Sequence, residues 1–224
     1  MTNFCLSLLR DNHTQISHIA GDFKYENVTV EQRSYHRSKR PLQISHIWGI
    51  RIRLELEDKT RDLDLFNLAL DSKLRGCDRV KLKVSDVAYG NSVSSRATVL
   101  QQKTGSPVQF EITKGTREAV TALIKGGNLH SKDFLFWSRV GTCQHISTRQ
   151  YNRIFHGWIA KLGLEDSLYS THSMRRTKPY LIYKKTKNLR VIQLLLGHKK
   201  LESTVRYLGI EVDDALEISE SIEV

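Results

Sequence analysis

Apolar positions from Pro41 onward recur with two periods, and the periods predict the elements. Ile44, Ile47, Trp48 and Leu54 give one helical face, and Leu63, Phe66, Leu70 and Leu74 give another. Val80, Leu82 and Val84 alternate with Lys81 and Lys83, which predicts a strand. Residues 97–101 and 108–112 read as two strands of a hairpin joined around Lys103-Thr-Gly-Ser-Pro107. Helices are expected at about 116–125 and 149–162, the second with Tyr151, Ile154, Phe155, Trp158, Ile159 and Leu162 on one side. Shorter helices are expected over 172–185, 189–196 and 201–208. Pro179 conflicts with the first of these. Inside a helix it removes a backbone hydrogen bond and costs about 3 kcal/mol, so that helix should kink or start later. The expected class is α+β, mainly helical, with one small antiparallel sheet.

Residues 1–40 differ from this pattern. They are polar, with scattered His and aromatics, and end in His36-Arg37-Ser-Lys39-Arg40 before Pro41. They read as an arm or linker, with Arg37, Lys39 and Arg40 either touching a DNA backbone or simply solvated. No period of repeats and no low-complexity tract occurs. The expected organisation is an arm over 1–40, a folded domain over 41–210 and an acidic tail over 211–224.

The 224 residues suit one domain with its own core. A net charge of +11 points to an anionic partner, most simply nucleic acid, although a merely basic protein would show the same balance. Six acids and no Lys or Arg lie between Glu211 and Val224, so the rest, on top of the +11, carries +17. An acidic tail on a basic body suits contact with protein better than with DNA. Cys5, Cys77 and Cys143 are unpaired in spacing, which suits a reducing compartment and argues against a disulfide scaffold. Cys143 and His145 alone are too few for a metal site, and no metal is expected. The apolar run Phe4 to Leu9 is too short for a signal peptide or a membrane span, so a soluble cytoplasmic protein is expected.

The chemistry concentrates near the end, in Thr171-His172-Ser-Met-Arg175-Arg176, Leu194-Leu-Leu-Gly197-His198 and Tyr207. A histidine and an arginine three apart share a helical face. His, Arg, His and Tyr together can hold a phosphate and attack it. This set resembles the catalytic motifs of the tyrosine recombinases, the phage-integrase family: His172-x-x-Arg175, Leu196-Gly197-His198 and Tyr207. The resemblance extends upstream to Leu70-Asp-Ser-Lys-Leu74-Arg75-Gly-Cys-Asp78, to Ser85-Asp86-Val87 and to the hairpin turn at Lys103, and so covers roughly 42–210.

What the resemblance implies is specific. The fold would be a tyrosine-recombinase catalytic domain. Arg75 and Arg175 would hold the phosphate, with Asp78 supporting Arg75. Tyr207 would be the nucleophile, His172 the base, His198 a hydrogen-bonding partner of the phosphate and Lys103 the general acid; Lys114 and Lys125 lie near Lys103 in sequence. Two guanidiniums clamp phosphate oxygens bidentately in a way that lysine does not, and no acidic cluster suits Mg²⁺. A 3′-phosphotyrosyl link would keep the bond energy, so no cofactor is expected, and no GxxxxGK[ST] loop is present. Double-stranded DNA would be the partner, with Lys81, Lys83 and Arg176 among its contacts.

Two features depart from the family. Arg176 stands where many members have histidine, and only 1–40 precede the domain, too few for the usual core-binding clamp. That leaves a minimal recombinase or one relying on a helper recombinase or accessory protein. The segment after Tyr207 resembles the family's docking helix, which implies a homo-oligomer, a tetramer in a synapse, if it docks in trans rather than in cis. Two rival readings share the residues: a nicking-closing activity that only relaxes DNA, and an inactive DNA-binding accessory of a mobile element.

Overall fold

The computed structural model describes residues 39–90, 92–139 and 144–210, with Leu216, Ser219, Glu220 and Ile222 beyond them. All lie within one compact unit, Arg37–Val224. The arm over 1–38, with Arg37 and Cys5, falls outside the described residues, as do Cys143 and most of the tail.

Two helices begin the domain, α1 (Ile44–Leu56) and α2 (Thr60–Ser72), followed by the short turns α3 (Gly76–Arg79) and α4 (Val84–Val87). A two-residue hairpin β1 (Ala88–Tyr89) and β2 (Ser92–Val93) precedes the main hairpin β3 (Arg96–Leu100) and β4 (Pro107–Glu111). Helices α5 (Lys114–Gly126), α6 (Thr148–Lys161), α7 (Thr171–Thr186), α8 (Leu189–Leu196) and α9 (Leu201–Leu208) complete it. The chain is mainly helical with small antiparallel sheets.

Helix α2 is the axle. Every residue from Asp64 to Ser72 is buried, and its Leu65, Phe66, Leu68 and Leu70 pack into one large core with α1, α5, α6 and the hairpin. Each such aliphatic or aromatic side chain contributes roughly 1.5–3 kcal/mol on burial. Tyr151, Phe155, Trp158 and Ile159 of α6 are buried together as the periodicity predicts. A second, smaller core joins α7, α8 and α9 through Tyr183, Ile192, Leu196 and Leu208, with Tyr207 packed against it. That satellite core is what carries the end of the chain to the site.

Three expectations change. The segment Val80–Val84 is not a strand: Val80, Leu82 and Val84 are buried and both lysines exposed, but the backbone turns there and only Lys83 bridges, to Phe134. The alternation arises from a turn packed on one side, which has the same two-residue rhythm as a pleat. On α1 the buried face is Ile47, Ile50 and Leu54, while Ile44 and Trp48 are 59% and 57% exposed. The hairpin β1–β2 was not expected; its marker was the Gly90 turn, with φ +58°.

Helix α7 starts where expected and runs through Pro179. Pro179 has no N–H to give the Arg175 carbonyl, so the helix loses that bond yet continues to Thr186. The Ser170 hydroxyl caps it by accepting from the His172 N–H at 3.2 Å, and Ser173 returns a bond to the Ser170 N–H at 3.1 Å. Thr177 accepts from the Leu42 N–H at 2.9 Å, tying α7 to the start of the domain.

Candidate active site

Arg75 is placed by the end of α2. Lys73 terminates that helix in the left-handed region at φ 54°, and Arg75 then caps α3. The buried Lys73 ammonium meets both oxygens of Glu111 at 3.0 and 2.8 Å. Lys178 of α7 bridges Glu111 at 2.6 Å and Asp71 at 2.8 Å, and Asp71 also accepts from the Thr113 N–H and hydroxyl. This network fixes α2, β4 and α7 relative to one another just beside Arg75.

The Arg75 guanidinium donates to the Gln101 side chain at the hairpin turn. Asp78, expected to support Arg75, does not bond to it: its Oδ1 accepts from the Gln102 N–H at 3.0 Å, and its other oxygen has no partner among the described residues. Asp78 and Arg75 therefore both grip the turn, from which the exposed Lys103 projects. The turn closes through Gly105 at φ +62°, whose N–H donates to the Gln101 carbonyl at 2.8 Å.

The other half of the site comes from α7, α8 and α9. Asn188 caps α8 by accepting from the Val191 N–H at 3.1 Å, and Gly197 ends it in the left-handed region at φ +66°. A Cβ on Gly197 would also lie 2.8 Å from Val108 Cγ2, so glycine is needed there twice over. The next residue, His198, sets its ring edge-on to Tyr207 with centroids 5.5 Å apart. Arg175, 4% exposed, donates to the Leu196 carbonyl at 3.2 Å and stands 5.9 Å above the Tyr207 ring. Arg176 covers the same ring at 5.2 Å and is 7% exposed.

The electrostatics follow from this crowd of guanidiniums. Burial pushes the Tyr207 phenol up to about 12, against the pull of Arg175, Arg176, Arg79 and Arg75. Its ring is half-buried, but its hydroxyl is shut away without a hydrogen-bond partner among the described residues. Partial burial, then the charges of Arg175, Arg79, Arg176 and Arg75, hold His172 below the ordinary histidine value. Burial, helped by Arg175 and Arg75, takes His198 down to about 4. Both imidazoles are thus neutral at pH 7. Among the described residues, Asp78, Arg79, Arg175 and Tyr207 hold four of the six buried side-chain atoms without partners.

Arg79 and Lys73 escaped the sequence reading. Both are fully buried cations whose partners are backbone carbonyls or distant residues, and no local spacing signals that. Of the expected DNA contacts, Lys39, Lys81 and Lys83 are exposed and Arg40 is half-buried. Among the described residues no group of three or more His, Cys, Asp or Glu could hold a metal.

The phage integrase family model matches residues 43–212, most of the chain. The chain belongs to this family. It is therefore grouped with the tyrosine recombinases, enzymes that cut and rejoin DNA strands. A probable integrase/recombinase of Bacillus subtilis is 32% identical over 158 residues, covering 70% of this chain and 82% of the relative. Tyrosine recombinase XerC of Rhodospirillum centenum is 28% identical over 165 residues, covering 72% of this chain and 46% of that protein. The chain thus spans less than half of that relative. Among solved structures, XerA recombinase superposes with a TM-score of 0.65 at 18% identity, over 81% of this chain and 64% of that one. A Tn1549 transposon integrase bound to transposon right-end DNA gives 0.63 at 15% identity, over 83% and 66%. At these identities the structures speak for the fold. No helix among the described residues is long and apolar enough to cross a membrane.

Proposed function

We propose that this chain cleaves and rejoins double-stranded DNA in site-specific recombination or integration, through a covalent 3′-phosphotyrosyl link on Tyr207. The observation that carries the reading is the gathering of Arg75, Arg175 and His198 about Tyr207, with His172 in the field of the same arginines, from segments as far apart as α3 and α9.

Arg75 and Arg175 supply the planar donors that hold the non-bridging phosphate oxygens and stabilise the charge of an in-line transition state. Tyr207 attacks phosphorus and the 5′-oxygen leaves. A phenol pushed to about 12 is not ionised beforehand at pH 7, so its proton must leave as it attacks. Neutral His172 is free to take that proton. His198 Nδ1 lies 3.1 Å from the Thr204 hydroxyl; if that hydroxyl donates, Nε2 carries the hydrogen and can donate to the phosphate. Lys103, exposed at the tip of the hairpin, protonates the departing 5′-hydroxyl. Rejoining reverses these transfers, with the energy of the broken bond kept in the phosphotyrosine, so the reaction needs no nucleotide. On DNA the active form would be a homo-oligomer, a tetramer in the synapse.

The test is incubation with a pool of nicked random-sequence duplexes, followed by a denaturing gel and peptide mapping. An adduct on Tyr207 that Tyr207→Phe abolishes is the expected result. Clear DNA binding with no adduct, even with a full-length relative added, would sink the reading.

A further inference from the structure

Behind the two phosphate-binding arginines lies a third guanidinium that the reaction above does not use. Arg79 is 0% exposed. It donates to the Tyr151 hydroxyl on α6, to the Leu74 carbonyl at 2.6 Å and to the Ala69 carbonyl at 3.4 Å, and stacks 5.2 Å over the Tyr151 ring. Among the described residues it forms no ion pair.

Burying a cation without a carboxylate costs several kcal/mol in an apolar interior. Part of that is offset here, because Ala69 lies in the last turn of α2, where free carbonyls and the helix dipole favour positive charge. A methionine or leucine would fill a similar space with no such cost. What neither could do is donate to the carbonyl directly before Arg75, or place charge near the reacting groups. Arg79 does both: its field reaches His172, Arg175 and Tyr207.

We propose that Arg79 is a positioning residue of the strand-cleavage site, holding the Leu74–Arg75 turn from the interior and adding positive potential to the phosphate pocket without touching DNA. This rests on the reaction assigned above to Tyr207.

The test uses the whole chain and the variants Arg79→Met and Arg79→Lys. In the free protein, NMR follows the His172 imidazole, which also faces Arg175 and Arg176 of α7 and Arg75 at the start of α3. Removing one of four positive neighbours in Arg79→Met should move its titration midpoint upward, and Arg79→Lys should leave it in place. On the nicked random-sequence pool, adduct formation by Arg79→Met should slow at least about 10-fold, with duplex affinity changed less than about 3-fold, because a displaced catalytic group costs rate rather than binding. A folded Arg79→Met with the parental His172 midpoint and the parental adduct rate overturns the proposal. Should that variant not fold, Arg79→Lys decides. A lysine cannot bridge Leu74 and Tyr151 together, so a slower adduct at an unchanged midpoint supports positioning, and a parental rate overturns it. If the parent forms no adduct, the reaction assigned to Tyr207 fails, while the NMR midpoints still report whether Arg79 sets the field.

Discussion

At the candidate site, burial and arginines rather than carboxylates set the protonation states of His172, His198 and Tyr207. With His172 held below 6.5 by partial burial and four guanidiniums, its base form persists into mildly acid solution. Single-turnover cleavage should therefore stay above half its maximum at pH 6.5 and fall through the midpoint only at lower pH, as His172 gains its proton. A rate already halved at pH 6.5 would contradict that assignment. A second titrating residue bears on stability. Asp64 is fully buried with neither oxygen bonded among the described residues, and burial raises its carboxyl from 3.8 to about 8. Below the unfolded value both states hold the proton and nothing is lost. Between the two values the unfolded chain ionises while the folded one cannot, so stability falls as pH rises and levels off near 8, by a few kcal/mol at most. Asp64→Asn removes this dependence. Melting temperatures should show the parent losing ground to Asp64→Asn between about pH 5 and about pH 8. Parallel curves would mean that Asp64 is solvated in solution. Such residues were invisible in the sequence: the His172, Arg175, His198 and Tyr207 spacing could be read, but no spacing marks Asp64 as a buried acid.

At the scale of elements, the long helices were legible because each buries one continuous stripe, as α6 does with Tyr151, Phe155, Trp158 and Ile159. The misreadings fall where period and burial part company. Val80–Val84 alternates without a ladder, and α1 leaves Ile44 and Trp48 outside because its neighbours cover the Ile47, Ile50 and Leu54 side. The junction between α8 and His198 shows how closely one element depends on another. Gly197 must take φ +66° and must also leave room for Val108 of β4. Gly197→Ala should destabilise the fold by about 1–3 kcal/mol, combining left-handed strain with a clash. It should also slow cleavage more than it weakens DNA binding, since His198 follows directly. Thermal denaturation together with adduct kinetics checks both; a folded variant with parental kinetics would show that His198 is not held by this junction.

For the whole molecule, charge is divided between a basic body and an acidic end. The six acids after Ile210, set against a net +11, leave the rest at +17. Duplex DNA attracts such a body through counterion release, which makes binding steeply salt-dependent. The tail's charge opposes that attraction through space over a Debye length, about 10 Å at 0.1 M salt, and less as salt rises. A chain ending at Ile210 should therefore bind random-sequence duplex several-fold more tightly at low salt, with the gain fading as ionic strength increases. The same truncation separates two roles for the tail. If it acts only as a diffuse negative charge, adduct formation rises along with affinity. If it docks on a neighbouring copy, affinity rises while recombinant product falls, because protomers bind DNA without assembling. Fluorescence anisotropy across a salt series, paired with a recombination assay, distinguishes these. An affinity that does not respond to the truncation at any salt would show that the tail lies beyond the reach of the DNA-binding face.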